Sequence, residues 1–510
     1  MNKIARDTLG LTFISFILQG LGILLNAVMT DKLGTASVGI MTLIFTVFGF
    51  IMVLANGNIF ISTSRFVSEE LGSGNQNCTR IMRYSLTFSL ILSCSFSVLS
   101  VIFSDLIADK LSTAASLAIP IKIIAVSLPF ASVGSCIKGY FHAIRKVTVP
   151  CAGDCIEFAV KWLLLISYVI FLTQSSFDVY CFIALSILAG ELVSCIYYIC
   201  RIIPEYRRFS AIPEKNVNIS TVPSYLKLYF PILISGYVQM ILSTANDILV
   251  PAALLTYNTS AETAMSEYGI FEAMIMPTIF YPAVVLGSLA NILMPEIARA
   301  ASSDNKSRVK CLVHNALCKS FMYSFFISGI FLARGKCIGN IICPSDPLTG
   351  ETLIKMFPVI PFIYLEIVLE SILKGLGKQN FSTINSFCEY AVRIICVIVF
   401  VRKYGFMGVL ISYYASNIYS NIIRIIVVCK ETHTPFSICS YIFKPFIFAS
   451  LTCLGASGIS KLINPINQII SAGVFISVAG ILFIMIYETD KMLSANNCSI
   501  ASASTVKLRQ

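Results

Sequence analysis

Charge is what this sequence has least of: only 12 % of its 510 residues are Asp, Glu, Lys or Arg. A soluble globular chain carries roughly a quarter, so a water-facing surface of the usual kind cannot be built from this composition. Histidine is scarcer still. Its three copies, His142, His314 and His433, are scattered without metal-ligand spacing or an associated nucleophile, which leaves a zinc centre without its commonest ligand set. No GxxxxGK[ST] loop is present, so the backbone cradle that ATP hydrolysis uses is missing. Cysteine is plentiful at 18 copies, yet no paired CxxC motif occurs, and neither zinc binding nor thiol redox chemistry is supported. Most cysteines, such as Cys94, Cys155, Cys195 and Cys396, fall inside apolar runs as small hydrophobes. Cys337 and Cys343 share a loop expected on the outer side and form the one candidate disulfide. An enzyme is not expected, and no cofactor beyond a possible coupling proton or sodium ion.

What fills the chain is hydrocarbon. Hydrophobic residues make up 56 % of it and the mean hydropathy is +0.82, the profile of a polytopic integral membrane protein. A helix needs about twenty apolar residues to cross a bilayer. Fourteen stretches qualify, near residues 9–30, 37–61, 82–104, 118–141, 149–172, 179–202, 223–248, 268–293, 311–334, 352–373, 381–401, 405–428, 441–463 and 467–487. The first is about as long as a full span and no small-residue cleavage site follows it, so it is read as a retained span. Alternating strands are absent, which points to an all-α bundle rather than a closed barrel.

A net charge of +11 is of the sign nucleic acid attracts, but the bases lie in short loops between spans, without the aromatic-plus-basic surface nucleic acid needs. The positive-inside rule accounts for them. Placing the N-terminus in the cytoplasm puts Arg65, Arg80, Arg83, Lys146, Lys306, Arg308, Lys310, Lys374, Lys378 and Lys430 on that side, with the C-terminus there as well. The expected organisation is a six-helix lobe over 1–203, a cytoplasmic linker over 204–222, a second six-helix lobe over 223–430, two extra helices over 431–490, and a cytoplasmic tail over 491–510 that is expected to lack structure beyond Ser494. Such a chain is expected to work as a monomer among membrane lipids.

The lobes are read from an internal repeat. Glu157-Phe158-Ala159-Val160-Lys161 recurs as Glu389-Tyr390-Ala391-Val392-Arg393, a shift of 232 residues. The same shift lays Pro129-Phe130 on Pro361-Phe362, and a shift of 230 lays Gly39-Ile40 on Gly269-Ile270. Six spans per repeat is an even number, so both copies enter the membrane in the same direction and are expected to enclose a central cavity. Each copy of the motif sets an acid one helical turn before a base, on one face. Adjacent opposite charges can neutralise each other where a lone ion inside a bilayer is costly. A single copy is explained as well by a self-satisfied pair, whereas two copies at matching places point to a duplicated site.

Other polar residues inside spans extend the candidates. Lys161 and Arg393 are first choices for an anionic headgroup, with Glu157 and Glu389 beside them, then Lys138, Lys122 and Lys319, and Arg65 at the cytoplasmic mouth. Long bases near span ends also snorkel to the interface, an ordinary explanation that weighs on Lys138, Lys122 and Lys319. For ion coupling the candidates are Asp247 with Asn246, Glu272, and Glu366 with Glu370 one turn on, while Glu191 is a further acid in the sixth span. Interfacial placement is the plain alternative for each.

Fourteen spans in a 6+6+2 pattern, the Glu-x-x-x-Lys/Arg pairs, Gly39, Ser64-Arg65-Phe66-Val67-Ser68-Glu69-Glu70, Tyr268-Gly269-Ile270 and Met294-Pro295-Glu296-Ile297-Ala298-Arg299 together resemble one family. It is the polysaccharide-flippase branch of the multidrug/oligosaccharidyl-lipid/polysaccharide (MOP) superfamily, whose stage V sporulation protein B group and polysaccharide export proteins are most similar over about residues 1–490. The resemblance implies a MATE-like pair of lobes in the bacterial plasma membrane, moving an undecaprenyl-pyrophosphate-linked glycan or peptidoglycan precursor outward by alternating access. It also implies that Glu157, Lys161, Glu389 and Arg393 match the family's recurrent charged pair and Asp247 a common acid of the seventh span. One departure is that the first span carries Gln19 and Asn26 but no charge between Asp7 and Asp31, where lipid II flippases place cavity charges. The expected function is therefore a flippase or exporter of a lipid-linked saccharide. The alternatives are an ion-coupled multidrug antiporter on the same fold, which would favour acids and aromatics in its cavity, and a membrane assembly factor that transports nothing.

Overall fold

The computed structural model describes residues 3–72, 78–111, 117–144, 146, 148–171, 179–210, 222–258, 260–302, 305–344, 346–463 and 468–507. Most of the expected linker, residues 211–221, lies outside that set. No strand occurs among the described residues. That is the solution hydrocarbon demands, since a helix pairs its backbone groups within its own segment.

The helices in order are α1 (Lys3–Leu33), α2 (Thr35–Asn56), α3 (Ile59–Gly72), α4 (Cys78–Ile102), α5 (Ser104–Leu111), α6 (Ala118–Ala143), α7 (Thr148–Phe171), α8 (Val179–Ser210), α9 (Val222–Tyr257) and α10 (Ala261–Gly269). They continue as α11 (Met276–Ser302), α12 (Lys306–Ile342), α13 (Leu348–Lys355), α14 (Ile360–Gly375), α15 (Gln379–Cys396), α16 (Arg402–Tyr404), α17 (Phe406–Thr432), α18 (Lys444–Ile463) and α19 (Gln468–Lys507). π-Helical turns occupy Ile270–Ile275, Val397–Val401 and Cys439–Phe443. The last helix runs past Ser494 to Lys507, where the sequence reading expected no structure; small residues such as Ala495, Ala501 and Ala503 oppose no helix.

Ten helices among the described residues are long and apolar enough to cross a membrane, or eleven if the bent pair α13 and α14 counts as one span. The sequence count was fourteen. Two of the missing helices are informative. In α7, Asp154, Glu157 and Lys161 interrupt the apolar run, and in α17 Asn417, Asn421 and Arg424 dilute it. These are the helices on which the polar chemistry is concentrated.

The chain divides into two compact units, Met1–Ala273 with Tyr390–Ser412, and Met274–Glu389 with Tyr413–Gln510. In the first, α6 packs on α3, α4 and α8, and α7 on α8. Its core gathers Phe66, Met82, Ile137, Tyr198, Tyr225 and Tyr229, with buried hydroxyl bonds Ser89 to Ser132 at 2.6 Å and Ser85 to Tyr225 at 3.0 Å. The repeated Gly-Ile dipeptide explains one crossing. A Cβ on Gly39 would lie 2.1 Å from the Met265 carbonyl oxygen, and one on Gly269 would lie 2.6 Å from the Gly39 nitrogen. Only glycine lets α2 and α10 approach so closely, and Thr35 and Ser266 bond across the same crossing at 2.5 Å.

In the second unit α12 is the central helix, packed against α11, α13, α14, α18 and α19. The chain bends by 61° between α13 and α14, where Pro358 and Pro361 remove backbone donors. Cys337 and Cys343 are not bonded to each other, which corrects the candidate disulfide: Cys337 belongs to α12 and its thiol donates to the Gln468 carbonyl at 3.5 Å. The expected external loop is helix up to Ile342.

Candidate functional site

The densest set of charges in the first unit grows from one face of α7. Asp154, Glu157 and Lys161 recur at three- and four-residue spacing and so line up along the helix. α6 supplies Lys138 and α8 supplies Glu191. Room for the Lys161 stem comes from Gly190, where a Cβ would fall 2.9 Å from two of the lysine's methylenes. Lys161 Nζ lies 2.5 Å from Glu157 and 3.7 Å from Glu191. Lys138 Nζ lies 2.6 Å from Asp154 and 3.8 Å from the other Glu157 oxygen, and 5.4 Å above the Tyr198 ring. Tyr198 in turn donates to the Pro150 carbonyl at 3.0 Å. The two lysine side chains keep 24 and 25 % of their exposure, and Glu191 keeps 10 %. The ammoniums are therefore not sealed inside the bundle, unlike a fully buried pair.

The second unit treats the repeated acid differently. Glu389 of α15 meets Arg424 of α17, with Nη1 at 3.3 Å, and the other end of the fork reaches Glu366 of α14 at 3.1 Å and donates to Ser386 at 3.2 Å. Arg424 is fully buried. Its Nε atom has no hydrogen-bond partner among the described residues. Around it Asn385 donates to Ser420 at 2.8 Å, and Asn417 and Asn421 bond back along α17. Arg424 was not singled out from sequence, because the repeat that exposed Glu389 lies on another helix. The signal available was its spacing: Asn417, Asn421 and Arg424 form a polar stripe along one face of an otherwise apolar span. Asp154 was likewise missed, although it shares the α7 face.

The remaining candidates fall into separate surroundings. In the first unit Arg393 is buried and stacks 5.5 Å over the Tyr390 ring, and it attracts Asp247 of α9 electrostatically. Asn246 donates to Asp247 at 3.2 Å, and the Asn246 carbonyl oxygen is buried with no partner among the described residues. Glu272 sits in the π-helical turn Ile270–Ile275, a feature frequent at functional positions. Arg65 is exposed on α3. Lys122 pairs with Asp105 at 3.4 Å and Lys319 is exposed, as snorkelling side chains do. In the second unit Glu370 pairs with Lys374 at 2.8 Å, both well exposed, so it parts company with Glu366 one turn away. An apolar cavity of about 350 Å³, lined by Phe325, Gly329, Phe357, Pro361, Phe446 and Cys453, suits hydrocarbon rather than charge. No group of three or more His, Cys, Asp and Glu among the described residues could hold a metal.

Comparison with known proteins agrees with this architecture. The MatE family model matches residues 12–172, from the first span through the charged face of α7. An inward-facing multidrug resistance MATE family transporter of the MOP superfamily superposes with a TM-score of 0.65 over 84 % of this chain and 98 % of its own, at 14 % identity. This chain shares the fold of that transporter. The lipid II flippase MurJ in an inward closed conformation superposes with a TM-score of 0.68 over 94 % of this chain and 99 % of its own, at 16 % identity. Stage V sporulation protein B of Bacillus subtilis (strain 168) is 21 % identical over 95 % of this chain and 96 % of that protein. The chain is thus longer than the multidrug transporter and close in length to the flippase and the sporulation protein.

Proposed function

We propose that this chain is a flippase that moves a lipid-linked saccharide or cell-wall precursor across the bacterial plasma membrane by alternating access. One observation carries the reading over its alternatives. The multidrug fold is nearly used up after 84 % of this chain, whereas the lipid II flippase and the sporulation protein account for 94 and 95 % of it. The relatives that fit from end to end are the ones whose names concern lipid precursors and sporulation.

The charged cluster supplies the chemistry. A pyrophosphate headgroup needs cations that can leave their resting partners, and Lys138 and Lys161 are half-buried ammoniums already held between two acids each. Lysine suits this role because its three donors form a compact point charge on a flexible stem. The first span carries Gln19 and Asn26 but no charge between its flanking acids, and Asn26 is committed to the Ala273 carbonyl at 2.8 Å. The reading therefore stays at lipid-linked saccharide and does not narrow to lipid II. Two six-helix lobes, cytoplasmic termini and action as a monomer complete the proposal, on the charge bias of the loops and the even span count.

The test is flipping of a fluorescent undecaprenyl-pyrophosphate glycan in proteoliposomes. Wild type should flip it, and the Lys138→Gln/Lys161→Gln double variant should lose most of the rate while remaining folded. Export of cationic dyes under an ion gradient, with no glycan flipping, would instead establish the antiporter. One observation favours that second reading: the buried Asn246 side-chain oxygen beside Asp247, which has no partner among the described residues, is the kind of group a coupling cation takes.

A further inference from the structure

The charges of the α7 cluster do not balance. Asp154, Glu157 and Glu191 are three acids, and Lys138 and Lys161 are two bases. Glu157 accepts from both ammoniums, and Asp154 holds Lys138 at 2.6 Å, which leaves Glu191, among the described residues, with the long 3.7 Å contact to Lys161 as its one ion pair. Glu191 also lies within hydrogen-bonding reach of the Glu157 carboxyl itself. Two ionised carboxylates cannot bond, because neither has a hydrogen to give.

The second unit shows what a balanced version looks like. Arg424 follows Glu389 by 35 residues and meets it directly. Glu191 follows Glu157 by 34 residues and meets it too. Where one half of the chain brings a guanidinium to the repeated acid, the other half brings a carboxyl. The place of the missing cation can be taken by a proton.

We infer that Glu191 and Glu157 share one proton and form a proton-binding site, with the Glu191 hydroxyl donating to the Glu157 carboxylate. The groups facing Glu191 from the two helices packed most extensively on α8 are Lys138 of α6 and Glu157 and Lys161 of α7, with Cys195 on its own helix. With the proton in place the cluster is neutral overall, as a site inside a bilayer must nearly be. Its meaning for transport rests on the flippase reading: a headgroup that draws Lys161 away from Glu157 leaves a carboxylate that takes up a further proton, so anion binding and proton uptake are linked.

The experiment is infrared difference spectroscopy of the full-length chain in nanodiscs, from mildly acidic to alkaline pH. Wild type should lose one protonated-carboxyl band as pH rises. Glu191→Gln and, independently, Glu157→Gln should each lack that band, while Glu205→Gln keeps it; monodispersity in size-exclusion chromatography identifies folded variants. A titrating band that survives in Glu191→Gln, or no such band in wild type, overturns the proton site. Inorganic pyrophosphate is then added to wild type and should increase the band. If the band titrates as stated but pyrophosphate leaves it unchanged, the proton site stands and the headgroup role of Lys161 falls.

Discussion

Glu157 and Glu389 begin as the same residue in the same five-residue motif, and they end in different company. Glu157 sits among two lysines that keep about a quarter of their exposure, each shared between acids at 2.5 to 3.8 Å. Glu389 is held by an arginine with no exposure at all, whose planar fork also grips Glu366. Flexible, hydrated ammoniums can trade partners at little cost, whereas a buried guanidinium that lets go leaves carboxylates stranded in low dielectric. One cluster is built to exchange and the other to hold. A local motif thus specifies an acid at a helix face, and the neighbouring helix decides what that acid does.

The sharpest way to break this contrast is at Arg424. Arg424→Met removes the cation that Glu366 and Glu389 share and should destabilise the chain by about 3–5 kcal/mol, read as a large fall in the thermal midpoint in detergent. A variant as stable as wild type would show that this cluster holds nothing. Next in size is the lysine pair. Lys138→Gln/Lys161→Gln should slow glycan flipping about tenfold or more, equivalent to at least about 1.4 kcal/mol at the barrier, with a smaller loss of stability than Arg424→Met. Salt sharpens the same contrast more gently. Raising ionic strength from about 0.1 to 1 M shortens the Debye length from about 10 to 3 Å, so binding of inorganic pyrophosphate to the half-buried lysines should weaken severalfold. The midpoint difference between wild type and Arg424→Met should hardly move, because salt does not screen a buried pair.

Much of the frame was legible in the sequence. Apolar runs announced helices because a bilayer allows few other spanning structures, and the repeat pointed to Glu157, Lys161 and Glu389. Gly39 and Gly269, noted only as matching dipeptides, turned out to touch each other, a contact no spacing argument reaches. Lys138 was weighed down by the snorkelling explanation, yet it joins the α7 cluster at 2.6 Å from Asp154. Arg424 was invisible for a physical reason: its partners Glu366 and Glu389 lie 58 and 35 residues away, and the sequence shows charges without showing which helices meet. The same gap hid the split between Glu366 and Glu370, which look equivalent one turn apart on α14 until their neighbours are known.

That last pair gives the smallest effect and the cleanest control. Glu370 and Lys374 keep 39 and 42 % of their exposure, and an exposed pair four residues apart on a helix contributes only about 0.3–0.5 kcal/mol. Glu370→Gln should therefore leave the thermal midpoint and flipping nearly unchanged. Glu366→Gln, one turn earlier on the same helix, takes one of two acids from a guanidinium that has no water to turn to, and charged partners lost in that setting cost about 1–3 kcal/mol. Helix, residue type and substitution are the same in both variants, so any difference between them measures the reach of Arg424. If the two variants melt together, Arg424 is held by Glu389 alone, and the second cluster shrinks to a simple pair.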